Sequence, residues 1–81
     1  MRISVSLYSR LQEVTGCAQT TESVPDGATL DDLWRQLAVR FPRLAGWERS
    51  TLIAVGVDYR PRHYVLKDGD EVALFPPVQG G

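Results

Sequence analysis

Three groups in this 81-residue sequence carry chemistry of their own: the single cysteine, Cys17, the single histidine, His63, and the α-carboxylate of Gly81. Cys17 has no second cysteine for a disulfide or a zinc cluster. One histidine cannot build a multi-histidine metal site, so no metal is expected. A thiolate–imidazole pair would need Cys17 and His63 to meet. Cys17 falls in a Gly16-Cys17-Ala18 turn and nothing in the sequence brings His63 to it, so an inert thiol and a surface imidazole are expected. The third group, the α-carboxylate, ends a stretch of unusual composition.

The residues leading to it are Pro76-Pro77-Val78-Gln79-Gly80-Gly81. Proline fixes φ and lacks an N–H, so the apolar run Val72-Ala73-Leu74-Phe75 cannot continue as a paired strand beyond Phe75. Pro76 and Pro77 send the chain away stiff and extended. Past Val78 only Gln79 has a side chain of any size, so the tip is thin. Six residues at about 3.3–3.6 Å each reach roughly 20 Å, far enough to enter another protein's active site. A frayed terminus is the plainer reading of two closing glycines. The abrupt proline exit from a small domain, followed by a tip without side chains, favours a functional tail. The expected division is a folded domain over 1–75 and a flexible tail over 76–81.

A tail of this kind needs a rigid body behind it, and the remaining sequence supplies one. Ile3, Val5 and Leu7 alternate with polar residues, which predicts a strand over 2–8 with one buried face. Ser9 and Gln12 have capping-box spacing, and a short helix is expected to run to Thr15 and stop at Gly16. Gln19–Val24 reads as a polar edge strand, and Pro25-Asp26-Gly27 as a turn. From Thr29 onward, Leu30, Leu33, Trp34, Leu37, Ala38 and Phe41 make one apolar helical stripe. Asp31 and Asp32 stand at its positive end and Arg40 near its negative end, and Pro42 stops it. Arg43–Ser50 is expected to be a loop, with Leu44 and Trp47 folded back on the core. Leu52–Val57 reads as a central strand, Asp58–Pro61 as a turn, His63–Leu66 as a short strand, and Glu71–Phe75 as the last strand after a Lys67–Asp70 turn.

That order predicts an α+β domain of β-grasp (ubiquitin-like) type, a mixed sheet of about five strands packed on one long helix. The first and last strands should then lie parallel and adjacent, joined by a right-handed crossover. Parity turns Ile3, Val5, Leu7, Val72 and Leu74 inward. It turns Tyr8 and Phe75 outward, as an exposed aromatic pair beside the tail, on the sheet face away from the long helix. Exposed aromatics of this sort are typical partner anchors, so Tyr8 and Phe75 are the candidate partner-binding residues, unless Phe75 belongs to the core.

The composition sets limits on function. The net charge is −1, without the basic stripe of a nucleic-acid binder. No apolar run approaches the about 18 residues of a membrane span. The alternating N-terminus does not look like a signal peptide. A cytoplasmic protein with no nucleic-acid or membrane partner is expected.

The block Asp68-Gly69-Asp70-Glu71-Val72-Ala73-Leu74-Phe75-Pro76-Pro77-Val78-Gln79-Gly80-Gly81 resembles the C-terminal signature of the molybdopterin synthase small subunits, a family of sulfur carriers. Leu7-Tyr8-Ser9-Arg10-Leu11-Gln12-Glu13-Val14-Thr15-Gly16 is similar to that family's first strand and helix. The resemblance spans the chain and is weakest over 43–62. It implies a carrier with no catalysis of its own and no permanently bound cofactor. An ATP-dependent activating enzyme would adenylate Gly81, and a sulfur donor enzyme would convert it to a thiocarboxylate. The large catalytic subunit would take the tail (Pro76, Pro77, Val78, Gln79 and Gly80) and move the sulfur onto a pterin precursor. The family also implies a heterotetramer of two carriers and two large subunits. A sulfur carrier for thiamine or cysteine synthesis stays open as an alternative. So does a ubiquitin-like protein modifier, although the single lysine, Lys67, makes this chain a poor conjugation acceptor.

Overall fold

The computed structural model describes residues 1–77. Within them the order is β1 (Arg2–Leu7), α1 (Arg10–Thr15), β2 (Gln19–Ser23), α2 (Leu30–Arg40), a 3₁₀ segment (Pro42–Trp47), β3 (Leu52–Val55), β4 (Asp58–Tyr59) and β5 (Glu71–Phe75). The strands form one mixed sheet in the order β2-β1-β5-β3-β4. β1 and β5 run parallel, with Val5 opposite Val72 and Leu7 opposite Leu74, and every other pairing is antiparallel. β5, which feeds the tail, is therefore the middle strand. This is the β-grasp arrangement that the order of elements predicts.

Alternation along β1 and β5 puts Ile3, Val5, Leu7, Val72 and Leu74 on one face, each nearly inaccessible to solvent. Leu30, Leu33, Trp34 and Leu37 from the α2 stripe pack onto that face, with Leu11 and Leu44 sealing its ends. Burying each such side chain contributes about 1.5–3 kcal/mol, and the sheet–helix seam supplies most of the core cluster. Ala38 and Phe41, also on the predicted stripe, are only partly buried.

α2 starts at a capping box. The Thr29 hydroxyl accepts from the Asp32 backbone N–H at 3.2 Å, and the Asp32 carboxylate accepts the Thr29 N–H at 2.9 Å. These bonds hold the Asp32 carboxyl below the usual aspartate range, the Thr29 backbone N–H being the main cause and its hydroxyl the next. The box predicted at Ser9 is absent, because Ser9 makes no side-chain cap. Gly16 does end α1, with φ 77°.

β2 is an edge strand, as its polarity predicts, but it is not solvated on both faces. Glu22 points inward and is only 2% exposed. Its carboxylate pairs with the Arg40 guanidinium and accepts from Gln36 Nε2 at 3.0 Å and Thr20 Oγ1 at 3.2 Å. A buried carboxylate is tolerable only with such partners. This one binds the edge strand to α2.

Three local readings are corrected. Arg43–Ser50 is largely ordered into the 3₁₀ segment, with Leu44 fully buried and Trp47 against the core. β3 ends at Val55 and is second from the sheet edge, because Gly56, at φ 63°, turns the chain into β4. The fourth strand is thus Asp58–Tyr59 and not His63–Leu66, where only an isolated bridge from Val65 to Thr29 forms. The 60–66 stretch instead follows α2, with the Leu30 N–H donating to the Tyr64 carbonyl and the Asp31 N–H to the Arg62 carbonyl. The Arg62 guanidinium covers the Trp34 ring at 5.2 Å.

Candidate functional site

The face of the sheet away from α2 is built from the other parity. Its central row is small: Ser6 beside Ala73, Ala73 beside Ala54. One step toward the C-terminal end of β5 the residues become large. Leu52 pairs with Phe75, Tyr8 follows β1 alongside, and Tyr59 pairs with Ala54. Phe75 stacks on Tyr8 with ring centroids 4.8 Å apart and planes within 7°. Tyr59 meets the same Phe75 ring edge-on at 6.4 Å. Aromatic pairs in these geometries contribute about 0.5–1.5 kcal/mol beyond their burial.

Between these side chains lies a cleft of about 260 Å³, lined by Tyr8, Ser9, Leu52, Tyr59, Phe75, Pro76 and Pro77. Tyr8 is 46%, Leu52 42% and Tyr59 68% exposed, and Val57, at the tip of the β3–β4 turn, is almost fully so. Exposed aromatic and branched side chains gathered around a concavity make this face the candidate interaction surface. Phe75 is half-buried by the stack and lies outside the core cluster.

Ser9 closes the cleft on the β1 side. The Leu11 N–H donates to the Tyr8 carbonyl at 3.1 Å, which closes a four-residue turn with Ser9 and Arg10 at its centre. Ser9 has φ 54° and ψ −127°, the values of the first central residue of a type II′ turn. Among the described residues it is the one non-glycine with positive φ. A side chain there strains the backbone by about 1–3 kcal/mol.

Of the residues singled out in the sequence, Tyr8, Phe75, Pro76 and Pro77 come together at this cleft. Val78, Gln79, Gly80 and Gly81 lie outside the described residues. Cys17 is half-buried between α1 and β2, its Sγ 3.8 Å from Thr15 Oγ1. His63 is exposed in the β4–β5 connection. The sequence reading missed Leu52, Tyr59 and Ser9. Gly56 was the available signal for Tyr59, since a two-residue loop beginning with glycine makes a hairpin and carries Tyr59 back onto the sheet. No helix among the described residues is long and apolar enough to cross a membrane.

Comparison with known proteins places this geometry in a family. The molybdopterin synthase sulfur carrier subunit of Chlamydomonas reinhardtii is 37% identical over 83 residues, covering all of both chains. A putative molybdopterin converting factor subunit 1 from Pyrococcus furiosus superposes with a TM-score of 0.89 at 27% identity, covering 96% of this chain and 99% of that one. A similar chain in a protein–protein complex of subunits 1 and 2 of the molybdopterin-converting factor of Helicobacter pylori superposes with a TM-score of 0.72 at 26% identity, covering all of both chains. Residues 5–81 match the ThiS family, and the chain belongs to that family.

Proposed function

We propose that this chain is the sulfur-carrier subunit of molybdopterin synthase, and that the cleft at the root of its tail is where the larger, catalytic subunit docks. The observation that carries the reading is the position of Pro76 and Pro77. They leave the middle strand of the sheet and line the same cleft as Tyr8, Tyr59 and Phe75. A partner that takes the tail into its active site must cover this aromatic surface, and the H. pylori complex supports the pairing with a second subunit. The assembly in this reading is a heterotetramer of two carriers and two large subunits.

The chemistry belongs to the tail and to its partners. A carboxylate resists nucleophiles because it has no leaving group. An activating enzyme would supply one: the Gly81 carboxylate attacks the α-phosphate of ATP, pyrophosphate leaves and an acyl-adenylate forms. Sulfide-level sulfur from a donor enzyme then displaces AMP, leaving a thiocarboxylate. Such a group is anionic near neutral pH, and anionic sulfur is the nucleophilic form. In the synthase the sulfur passes to the pterin precursor, and water restores the carboxylate. Glycines at 80 and 81 let one tail thread two different active sites without steric cost. Docking through the cleft raises the local concentration of the tail end. The carrier needs no metal or bound cofactor of its own, and ATP is consumed by the activating partner.

Intact-mass analysis after incubation with ATP, an activating enzyme and a sulfur source tests this. One oxygen-for-sulfur exchange is expected, and fragmentation should place it on Gly81. Deleting Gly81 shortens the tail by about 3.5 Å. Reacting atoms must meet within about 3–3.5 Å, and a ~1 Å displacement can cost about a hundredfold. That variant should melt like the parent and lose transfer. Sulfur on any other residue, or full transfer without Gly81, would sink the reading.

A further inference from the structure

We propose that the Ser9 hydroxyl is a polar contact for the docked partner, a binding residue placed in the cleft at the expense of the turn that carries it. The inference rests on the docking reading above and adds a hydrogen bond from the turn to a surface made mainly of aromatic rings and prolines.

Three observations converge on Ser9. First, its backbone occupies the first central position of a type II′ turn, at φ 54° and ψ −127°. That position belongs to glycine, because any Cβ there crowds the backbone. Second, among the described residues the Ser9 hydroxyl does not cap α1 and has no other hydrogen-bond partner. Third, Ser9 lines the cleft together with the Tyr8, Tyr59 and Phe75 rings and with Pro76 and Pro77. A side chain that strains its own turn and bonds to no other described residue gains its value from what covers it.

The occupant follows from the same lining. Pro76 and Pro77 form part of the cleft wall, so the body that receives the tail also closes the cleft. Once water is excluded, a hydroxyl left without a partner is costly. The covering segment must therefore offer a hydrogen-bonding group opposite Ser9, amid apolar surface opposite the rings. A main-chain segment of the larger subunit running past the root of the tail has that character.

The experiment titrates the larger synthase subunit of the same organism into the full chain and three variants. Ser9→Ala keeps Cβ and removes only the hydroxyl. Its melting temperature should match the parent, and its affinity should fall about 5- to 10-fold, the scale of one interfacial hydrogen bond. Ser9→Gly also relieves the turn. It should melt about 4 °C higher, as expected for a small gain in a domain of this size, and bind at least as weakly as Ser9→Ala. Ser9→Ala keeps the turn and loses only the hydroxyl, so a drop in its affinity at parental melting temperature separates a direct contact from a change in the turn. Phe75→Ala is the control for the docking surface. Parental affinity in both Ser9 variants, with Phe75→Ala weakened, overturns the Ser9 contact and leaves the docking surface standing. Parental affinity in Phe75→Ala overturns the docking surface, and the Ser9 contact with it.

Discussion

Phe75, the last residue of the middle strand, lies flat against Tyr8, the first residue after the neighbouring parallel strand, with ring centroids 4.8 Å apart. The pair exists because β1 and β5 run in the same direction and in register, Leu7 opposite Leu74. Their next residues therefore emerge side by side on the outer face. Phe75→Ala should remove the centre of the cleft and weaken docking of the larger subunit by about 2 kcal/mol, as expected for an aromatic anchor. The domain should stay folded, because Phe75 is not part of the core cluster. Calorimetric titration with far-UV dichroism checks both halves, and a variant that unfolds would assign Phe75 to the core instead.

The Glu22–Arg40 pair joins the edge strand to α2, and its two ends are unequal. Glu22 is 2% exposed and Arg40 is half-exposed. Arg40→Met strands a buried carboxylate and should cost about 2 kcal/mol, less than the ~3–5 of a fully buried pair because one end is solvated. In a Glu22→Gln background the same substitution should cost little. Urea unfolding of the four proteins in a double-mutant cycle measures the coupling, and equal costs in both backgrounds would mean the pair is not coupled.

The capping box at α2 gives stability a defined pH dependence. Thr29 donates to the Asp32 carboxylate from its backbone and its hydroxyl, which lowers the folded-state pKa of Asp32 below its unfolded value. A depressed carboxyl contributes in full above the unfolded value, about 3.9, and the contribution disappears as pH falls through the folded value. Asp32→Asn should therefore be less stable than the parent at neutral pH by a constant amount. The gap should close only in acid, beneath the ordinary carboxylate range. Denaturant midpoints across pH record it, and a gap that closes between neutral pH and about 5 would point to another group.

Cys17 offers the rival chemistry, a side-chain persulfide. Its thiol is half-buried beside Thr15, far in sequence from the cleft residues of β5. Cys17→Ser should carry sulfur as well as the parent in the mass assay, and loss of transfer with the fold intact would move the sulfur to the thiol.

The sheet and the long helix were readable because their signals are periodic. Alternation in Ile3-Ser4-Val5-Ser6-Leu7 and the Leu30–Leu37 stripe each name a buried face, and the structure buries those residues. The aromatic pair followed from parity alone. What stayed hidden depends on contacts between distant segments. Glu22 sits among polar neighbours, and nothing local shows that Gln36 and Arg40 wait beneath it. Tyr59 reads as a turn residue because the apolar run continues through Gly56 in the sequence, whereas a positive φ there reverses the chain. At Ser9 the capping-box spacing was present, but the backbone entered α1 through a tight turn that aims the serine elsewhere.

The parallel pairing of β1 and β5 also decides how the domain bears a load. Because the two strands run the same way, the end of β1 near Met1 and the exit of β5 at Pro76 lie at opposite ends of the pair. Tension applied between them slides one strand along the other and stresses the interstrand hydrogen bonds together. A pull on the facing ends of the antiparallel β1–β2 pair would instead open its bonds one at a time. β5 is also gripped on its other side by β3, so a tug at Pro76 meets two rows of bonds in shear. Resistance to such a pull is a matter of unfolding rate and not of equilibrium stability. A force applied at Pro76 is thus resisted by the two strands on either side of β5 together.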